Sequence, residues 1–210
     1  MDVKQDQIKY EELRAEHLPE VAQLHIVGIE EGFFGSLGDE FVILLYRAII
    51  ESDEAFGFVA VKDDKVLGFI SCAENLGGIY KHVIKKNFFK LAWAMLPKMF
   101  RWYNIKNTIA ALLYPSKTGE NLPLAEILSI VVDKSARSMG IGKKLMELSC
   151  DEFHRRGAKQ IKVITAEDQQ ADGFYKTLGF RLVGHSQKRG VLLNIYVMGV
   201  SDSEGKKNGT

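Results

Sequence analysis

The sequence predicts a mixed α/β domain, and three observations carry that reading. β-rich runs and amphipathic helical runs alternate along the chain. Two pairs of β-rich runs are joined by short polar turns, the mark of hairpins. A third feature is the stretch ARSMGIGKK (136–144), in which a strand leads through a glycine-containing loop directly into a helix.

Each element follows from local pattern. IKYEELR (8–14) reads as a short strand. HLPEVAQLHIVGIEE has apolar residues at Leu18, Val21, Leu24 and Val27, a helical spacing, and DEFVILLYRAIIES (39–52) is a second helix after Gly35 and Gly38. FGFVAV and VLGFISCAE are strands separated by KDDK, a hairpin. Residues 79–109 read as helical and basic. AEILSIVV (125–132) is a strand, and IGKKLMELSCDEFHRRG is a helix with Ile141, Leu145 and Leu148 on one apolar run and Gly157 as its stop. KQIKVIT is a strand, QQADGFYKTLG a short helix ending at Gly179, and FRLVGH with VLLNIYVMGV a final hairpin. The expected order is β-α-α-β-β-(basic helix)-β-α-β-α-β-β.

Composition limits the function classes. A chain of 210 residues is long for one domain and short for two, and 46% hydrophobic content supports a sizeable core. We expect a single domain over 1–200, with a basic helical insertion at 79–120 and a disordered tail at 201–210, SDSEGKKNGT, which has no apolar content. With 28 basic and 27 acidic side chains, no nucleic-acid partner is expected. Cys72 and Cys150 have no metal-ligand spacing and are expected as reduced thiols, and the five histidines are scattered, so no metal site is expected. MDVKQDQIKY lacks the apolar core of a signal peptide, and FFKLAWAMLPKMF (88–100) is too short and too charged to span a bilayer, so the expected location is cytoplasmic.

The loop after Val132 carries the chemistry. A helix that starts near Gly140 presents unpaired backbone N–H groups and a partial positive charge, which suits a phosphate or diphosphate. Gly140 and Gly142 let an anion approach the backbone closely, and Arg137, Lys143 and Lys144 add charge. The loop is neither a P-loop, which needs G-x-x-x-x-G-K-[ST], nor a dinucleotide loop, since Leu145 stands where the third glycine would be.

The stretch EILSIVVDKSARSMGIGKKLM, followed by a strand and then ADGFYKTLGF, strongly resembles the GNAT superfamily of acyl-CoA N-acetyltransferases. That family's [RQ]-x-x-G-x-[GA] signature matches Arg137, Gly140 and Gly142. Its later A-x-x-x-Y-x-x-x-G-F matches Ala171, Tyr175, Gly179 and Phe180. The resemblance is strong over 125–200, holds only in element order over the first 75 residues, and leaves 79–120 as an insertion. It implies a twisted mixed, largely antiparallel sheet flanked by helices, with the helical insertion before the coenzyme-A-binding strand. It implies acetyl-CoA as acyl donor and an amine as acceptor.

By the same resemblance, backbone groups around Arg137, Ser138, Met139, Gly140, Ile141, Gly142 and Lys143 cradle the coenzyme A diphosphate, and Ile130, Val131 and Val132 pair with the pantetheine amides. Tyr175 matches the tyrosine placed near the thioester sulfur and is the candidate general acid; the other reading is a tyrosine packed under the sheet. Glu126, eleven residues before Arg137, has the spacing of a catalytic glutamate in the histone-acetylating branch, where partial burial would raise its pKa toward neutrality. Against that stands an exposed strand-end carboxylate, with a water chain as base. The chain departs from the family pattern three positions before Ala171, where Asp168 replaces the usual asparagine; a carboxylate accepts but does not donate, so Thr165 is the candidate to hold the pantetheine arm.

The acceptor side is less determined. Glu30 and Glu31 could attract an ammonium, with Phe33 and Phe34 as apolar walls, or the segment is an ordinary helix-loop-helix. Between Glu74 and Glu120 there are eight basic residues and no acidic one: Lys81, Lys85, Lys86, Lys90, Lys98, Arg101, Lys106 and Lys117. Aromatics are interleaved, so the segment 80–106 fits a solvated amphipathic helix, an anionic acceptor or a membrane surface. The leading function is acetyl transfer to a primary amine of a small molecule such as an amino sugar. A protein or peptide amine, and a non-catalytic acyl-CoA-binding module acting in sensing or docking, are the alternatives. Either a monomer or a homodimer is compatible with these features.

Overall fold

A computed structural model describes residues 7–29, 38–78, 122–167, 169–188 and 191–200. Its strands are β1 (Lys9–Glu12), β2 (Ala55–Lys62), β3 (Lys65–Ala73), β4 (Glu126–Val132), β5 (Gln160–Ala166), β6 (Arg181–Lys188) and β7 (Val191–Gly199). Its helices are α1 (Leu18–Gly28), α2 (Asp39–Ile50), α3 (Ile141–Arg155) and α4 (Gln169–Thr177). One seven-stranded sheet results, ordered β1-β2-β3-β4-β5-β7-β6. Every pairing is antiparallel except β4 with β5. The mixed, largely antiparallel sheet expected from the sequence is therefore present. The basic insertion, Glu30, Glu31, Phe33, Phe34, Asp168 and the tail 201–210 lie outside the described residues.

Local sequence explains the boundaries. Asp63 and Asp64 turn β2 into β3 with φ of 50° and 60°, the left-handed conformation a tight hairpin demands and aspartate tolerates. Pro19 occupies the first turn of α1, where its missing N–H costs nothing. Gly157, at φ 86°, ends α3, and Gly179, at φ 92°, ends the turn after α4.

Two cores cover the two faces of the sheet. On one face α1 and α2 bury Leu18, Val21, Val42, Tyr46 and Ile49 against Val59, Phe69 and Val131. On the other, α3 and α4 bury Ile141, Leu145, Met146, Phe153 and Tyr175 against Ile70, Ile127, Ile161, Val163 and Tyr196. At about 25 cal/mol per Å² of apolar surface, these faces supply the main force holding the helices to the sheet. α1 sits unusually close to β4, because a Cβ on Gly28 would overlap Val131 Cγ1. At its other end α3 is fastened by Arg156, which bonds Glu152 and Glu74 at 2.6 and 2.5 Å and lies 4.7 Å over the Phe56 ring. Cys72 is buried, Cys150 is half-buried, and the two are not joined in a disulfide. Among the described residues no helix is long and apolar enough to cross a membrane.

Candidate active site

The site grows from the single parallel pairing. β4 and β5 are in register over only two rows, Glu126 with Lys162 and Ile127 with Val163. Beyond that row each strand continues with its other neighbour. β4 stays on β3 as far as Val132, and β5 stays on β7 as far as Ala166. A bulge accompanies the parting: Ser71 faces Ser129 and Cys72 faces Ile127, so Leu128 is an extra residue in β4. A bulge bends its strand and increases twist, which turns β4 away from β5. The facing edges of Ile130–Val132 and Ile164–Ala166 then carry main-chain groups with no strand between them among the described residues. Such groups require partners. A ligand with amides spaced like a peptide can supply them, which fits the role given to Ile130, Val131 and Val132. Val131 turns its side chain into the α1–α2 core, so what it can offer is backbone.

At the open end of this gap lies the loop into α3. Asp133 accepts bonds from the N–H and hydroxyl of Ser135 at 2.8 and 2.5 Å, fixing the turn Lys134–Ala136, and these bonds hold its carboxyl below the usual aspartate range. Ser138 at φ 63° and Gly140 at φ 79° then bring the chain round to Ile141. The start of α3 has no side-chain cap and no acidic residue in its first turn. Its leading N–H groups are thus left for an anion, beside exposed Arg137, Ser138, Met139 and Lys143. Ile141 buries its side chain in the core and can contribute only its N–H.

The two glycines of the loop serve different ends. Around Gly140 a Cβ would meet nothing within 4 Å, so the residue is required by its left-handed φ and leaves a clear approach. At Gly142 a Cβ would stand 3.3 Å from Phe174 Cε2. A side chain at Gly142 would therefore crowd the ring of Phe174, which packs α4 on the start of α3. Uncapped N–H groups, open space at Gly140 and an unpaired strand edge together fit the diphosphate and amide arm of coenzyme A.

Glu126 stands one row before the strands part, and Tyr175 is packed in the core on the opposite face. Ile127 belongs to the α3–α4 core, so alternation puts Glu126 on the α1–α2 face. Glu126 is not an exposed strand end: its side chain is 14% accessible, and Oε2 lies 3.2 Å from Lys162 Nζ. The same ammonium donates to the carbonyls of Pro123 and Leu124 at 2.5 and 3.4 Å. Lys162 thus sets an ammonium directly beside the Glu126 carboxylate. Lys162 was not singled out from sequence; the available signal was a lysine between Ile161 and Val163 in an apolar strand.

Tyr175 is 5% exposed and shares the core with Ile127 and Val163, the last paired row. Burial and the nearby Tyr196 push its hydroxyl far above the ordinary tyrosine value, so it keeps its proton. Thr165 is half-buried and, by alternation, on the same face as Val163, opposite Asn194. Ala171 packs on the α3–α4 core. Two further polar groups escaped the sequence reading: the buried His25–Tyr46 pair, bonded at 2.8 Å, and the cluster of Asp172, Asn194 and Tyr196 beside Tyr175.

Comparison with known proteins agrees with this geometry. A model of the acetyltransferase (GNAT) family matches residues 26–180. The chain is 30% identical over 79 residues to GCN5-related N-acetyltransferase 1, chloroplastic, of Arabidopsis thaliana, a match spanning 39% of that relative's length. In fold it is similar to the ribosomal-protein-S18-alanine N-acetyltransferase of Escherichia coli, at 13% identity and a TM-score of 0.59 over 94% of this chain and 96% of that one. It is likewise similar to Arabidopsis thaliana NAA60 in complex with acetyl-CoA, at 17% identity and a TM-score of 0.58 over 92% and 99% of the two chains. With three quarters of its length inside the family model, the two-row β4–β5 pairing and the uncapped loop into α3, the chain belongs to the acetyltransferase (GNAT) family.

Proposed function

We propose that this chain transfers an acetyl group from acetyl-CoA to the primary amine of a small molecule, an amino sugar bearing a phosphate-linked group. The observation that carries the catalytic part is the parting of β4 and β5 one row beyond Glu126, together with the uncapped start of α3. The acceptor class rests on the eight basic residues, with no acidic one, between Glu74 and Glu120.

Acetyl-CoA supplies the acetyl thioester. The N–H groups from Met139 to Lys143, with Arg137, hold its diphosphate, and the free edge of Ile130–Val132 holds the extended arm. Fixing donor and amine in one gap provides most of the acceleration. Glu126, beside Lys162, takes the proton that the acceptor's ammonium must lose before it attacks. Tyr175, kept protonated by burial, delivers a proton to the departing sulfur. Glu30, Glu31, Phe33 and Phe34 are proposed to line the acceptor side, and the cytoplasm is the proposed location.

The test is release of free thiol from acetyl-CoA against a panel of phosphorylated amino sugars, simple amines and peptides with free amino termini. Turnover with a phosphorylated amino sugar at least about tenfold above the others supports the proposal, a factor worth about 1.4 kcal/mol of barrier. Turnover confined to peptides moves the acceptor to protein amino termini. Acetyl-CoA binding without thiol release for any amine favours a non-catalytic module.

A further inference from the structure

Asp172 lies on α4 three residues before Tyr175, and its side chain reaches β7. Its Oδ1 accepts a hydrogen bond from the Tyr196 hydroxyl and another from Asn194 Nδ2 at 3.0 Å. Because a carboxylate only accepts, Asn194 must present its amide nitrogen to Asp172 and its oxygen to the other side. That oxygen lies 2.8 Å from His185 Nδ1, which therefore carries a proton. One carboxylate thus ties α4 to β7, and through Asn194 to β6. Tyr196 and Asn194 are 0% and 2% exposed and Asp172 is half-buried, so both donors lie inside the fold and the carboxylate at its margin.

The tie bears on Tyr175 through ring contacts. Tyr175 is caged by three aromatic rings: Phe174 at 5.3 Å and Phe180 at 5.5 Å, both edge-on, and Tyr196 at 5.6 Å, tilted by 31°. Of these, Tyr196 is the ring whose far end Asp172 holds. We propose that Asp172 is a positioning residue, which fixes the Tyr196 ring and the seat of α4 and so aims the Tyr175 hydroxyl at the parting of β4 and β5. The inference rests on the reading of Tyr175 as the proton donor.

The protonation states sustain the tie across the working pH range. The Tyr196 bond is the main cause holding the Asp172 carboxyl below the usual aspartate range, with Asn194, Lys176 and His185 acting in the same direction. Burial, then the bond to Asp172, pushes Tyr196 up to about 12, and Glu167 adds to the rise. Acceptor and donor keep these roles from mildly acidic to mildly alkaline conditions.

The experiment compares steady-state kinetics of the full chain with Asp172→Ala, Tyr196→Phe, Asp172→Asn, Tyr175→Phe and the double variant Asp172→Ala/Tyr175→Phe. Misplacement of a reacting group by about 1 Å costs up to about a hundredfold in rate. Asp172→Ala and Tyr196→Phe are therefore expected to lower kcat about 10- to 100-fold, with the KM for acetyl-CoA within about twofold. Asp172→Asn keeps an acceptor oxygen for both bonds and is expected to retain most of kcat. In the Tyr175→Phe background Asp172→Ala is expected to lower kcat no further, since the two act on one event. Tyr196→Phe removes a single hydroxyl and keeps the test open if Asp172→Ala does not fold. Full kcat in Tyr196→Phe, or an equal loss from Asp172→Ala with and without Tyr175, overturns the positioning role. Full kcat in Tyr175→Phe overturns the proton-donor reading itself, and this inference falls with it.

Discussion

His25 makes the stability of this chain depend on pH in a way that can be isolated. It is 3% exposed beneath α1 and α2, bonded through Nδ1 to Tyr46, and its Nε2 has no hydrogen-bond partner among the described residues. Burial lowers its pKa from the ordinary 6.5 to about 4. Above pH 7 the ring is neutral in both folded and unfolded chains and contributes no pH dependence. As the pH falls below 6.5 the unfolded chain takes up a proton that the folded chain refuses, so stability is lost as the pH falls. For these two values the loss is about 2 kcal/mol at pH 5 and about 3 kcal/mol at pH 4. That is a large part of the roughly 5–15 kcal/mol that holds a typical domain folded. The assay is urea unfolding of wild type and His25→Gln at pH 7.5, 6 and 5, comparing stabilities at a common slope. Glutamine can still reach Tyr46 but does not titrate, so the difference between the two proteins should narrow by about 2 kcal/mol between pH 7.5 and 5. Parallel curves over that interval would refute the reasoning.

The remaining predictions concern β4 and its neighbours. Lys162→Met removes the ammonium beside Glu126 and the donor to the Pro123 and Leu124 carbonyls, and should cost about 1–3 kcal/mol in urea unfolding; Lys162→Met/Glu126→Gln should recover part of it. In the same kinetic assay Glu126→Gln should abolish the acidic limb of the kcat/KM pH profile, and an unmoved limb would remove Glu126 as base. Gly28→Ala forces a methyl into Val131 and should destabilise by about 1–3 kcal/mol, seen as a lower unfolding midpoint.

What could be read from the sequence was what is local. The turn at Asp63–Asp64, the start of α3 and the stops at Gly157 and Gly179 are set by residues within a few positions, and each stands where the pattern put it. The pairing of Ile130–Val132 with the pantetheine arm was implied by family resemblance, but the extra Leu128 that bends β4 away from β5 is a matter of register against β3 and has no mark in the strand itself. The partners of the candidate side chains were hidden for the same reason. Glu126 meets Lys162 only because a parallel pairing puts them opposite. Gly142 meets Phe174, and Asp172 meets Tyr196, across folds of the chain that no short window contains.

The central claim is that the loop into α3 holds the diphosphate of acetyl-CoA, and calorimetric titration of acetyl-CoA into wild type and Gly140→Asp tests it most directly. A side chain at Gly140 enters open space but strains the left-handed backbone there, so Gly140→Asn, which carries the same strain without the charge, is the control. The account predicts wild-type binding that weakens at least about tenfold more in Gly140→Asp than in Gly140→Asn, a difference of about 1.4 kcal/mol. Equal affinity in the two variants, or no binding to the wild type, would contradict it.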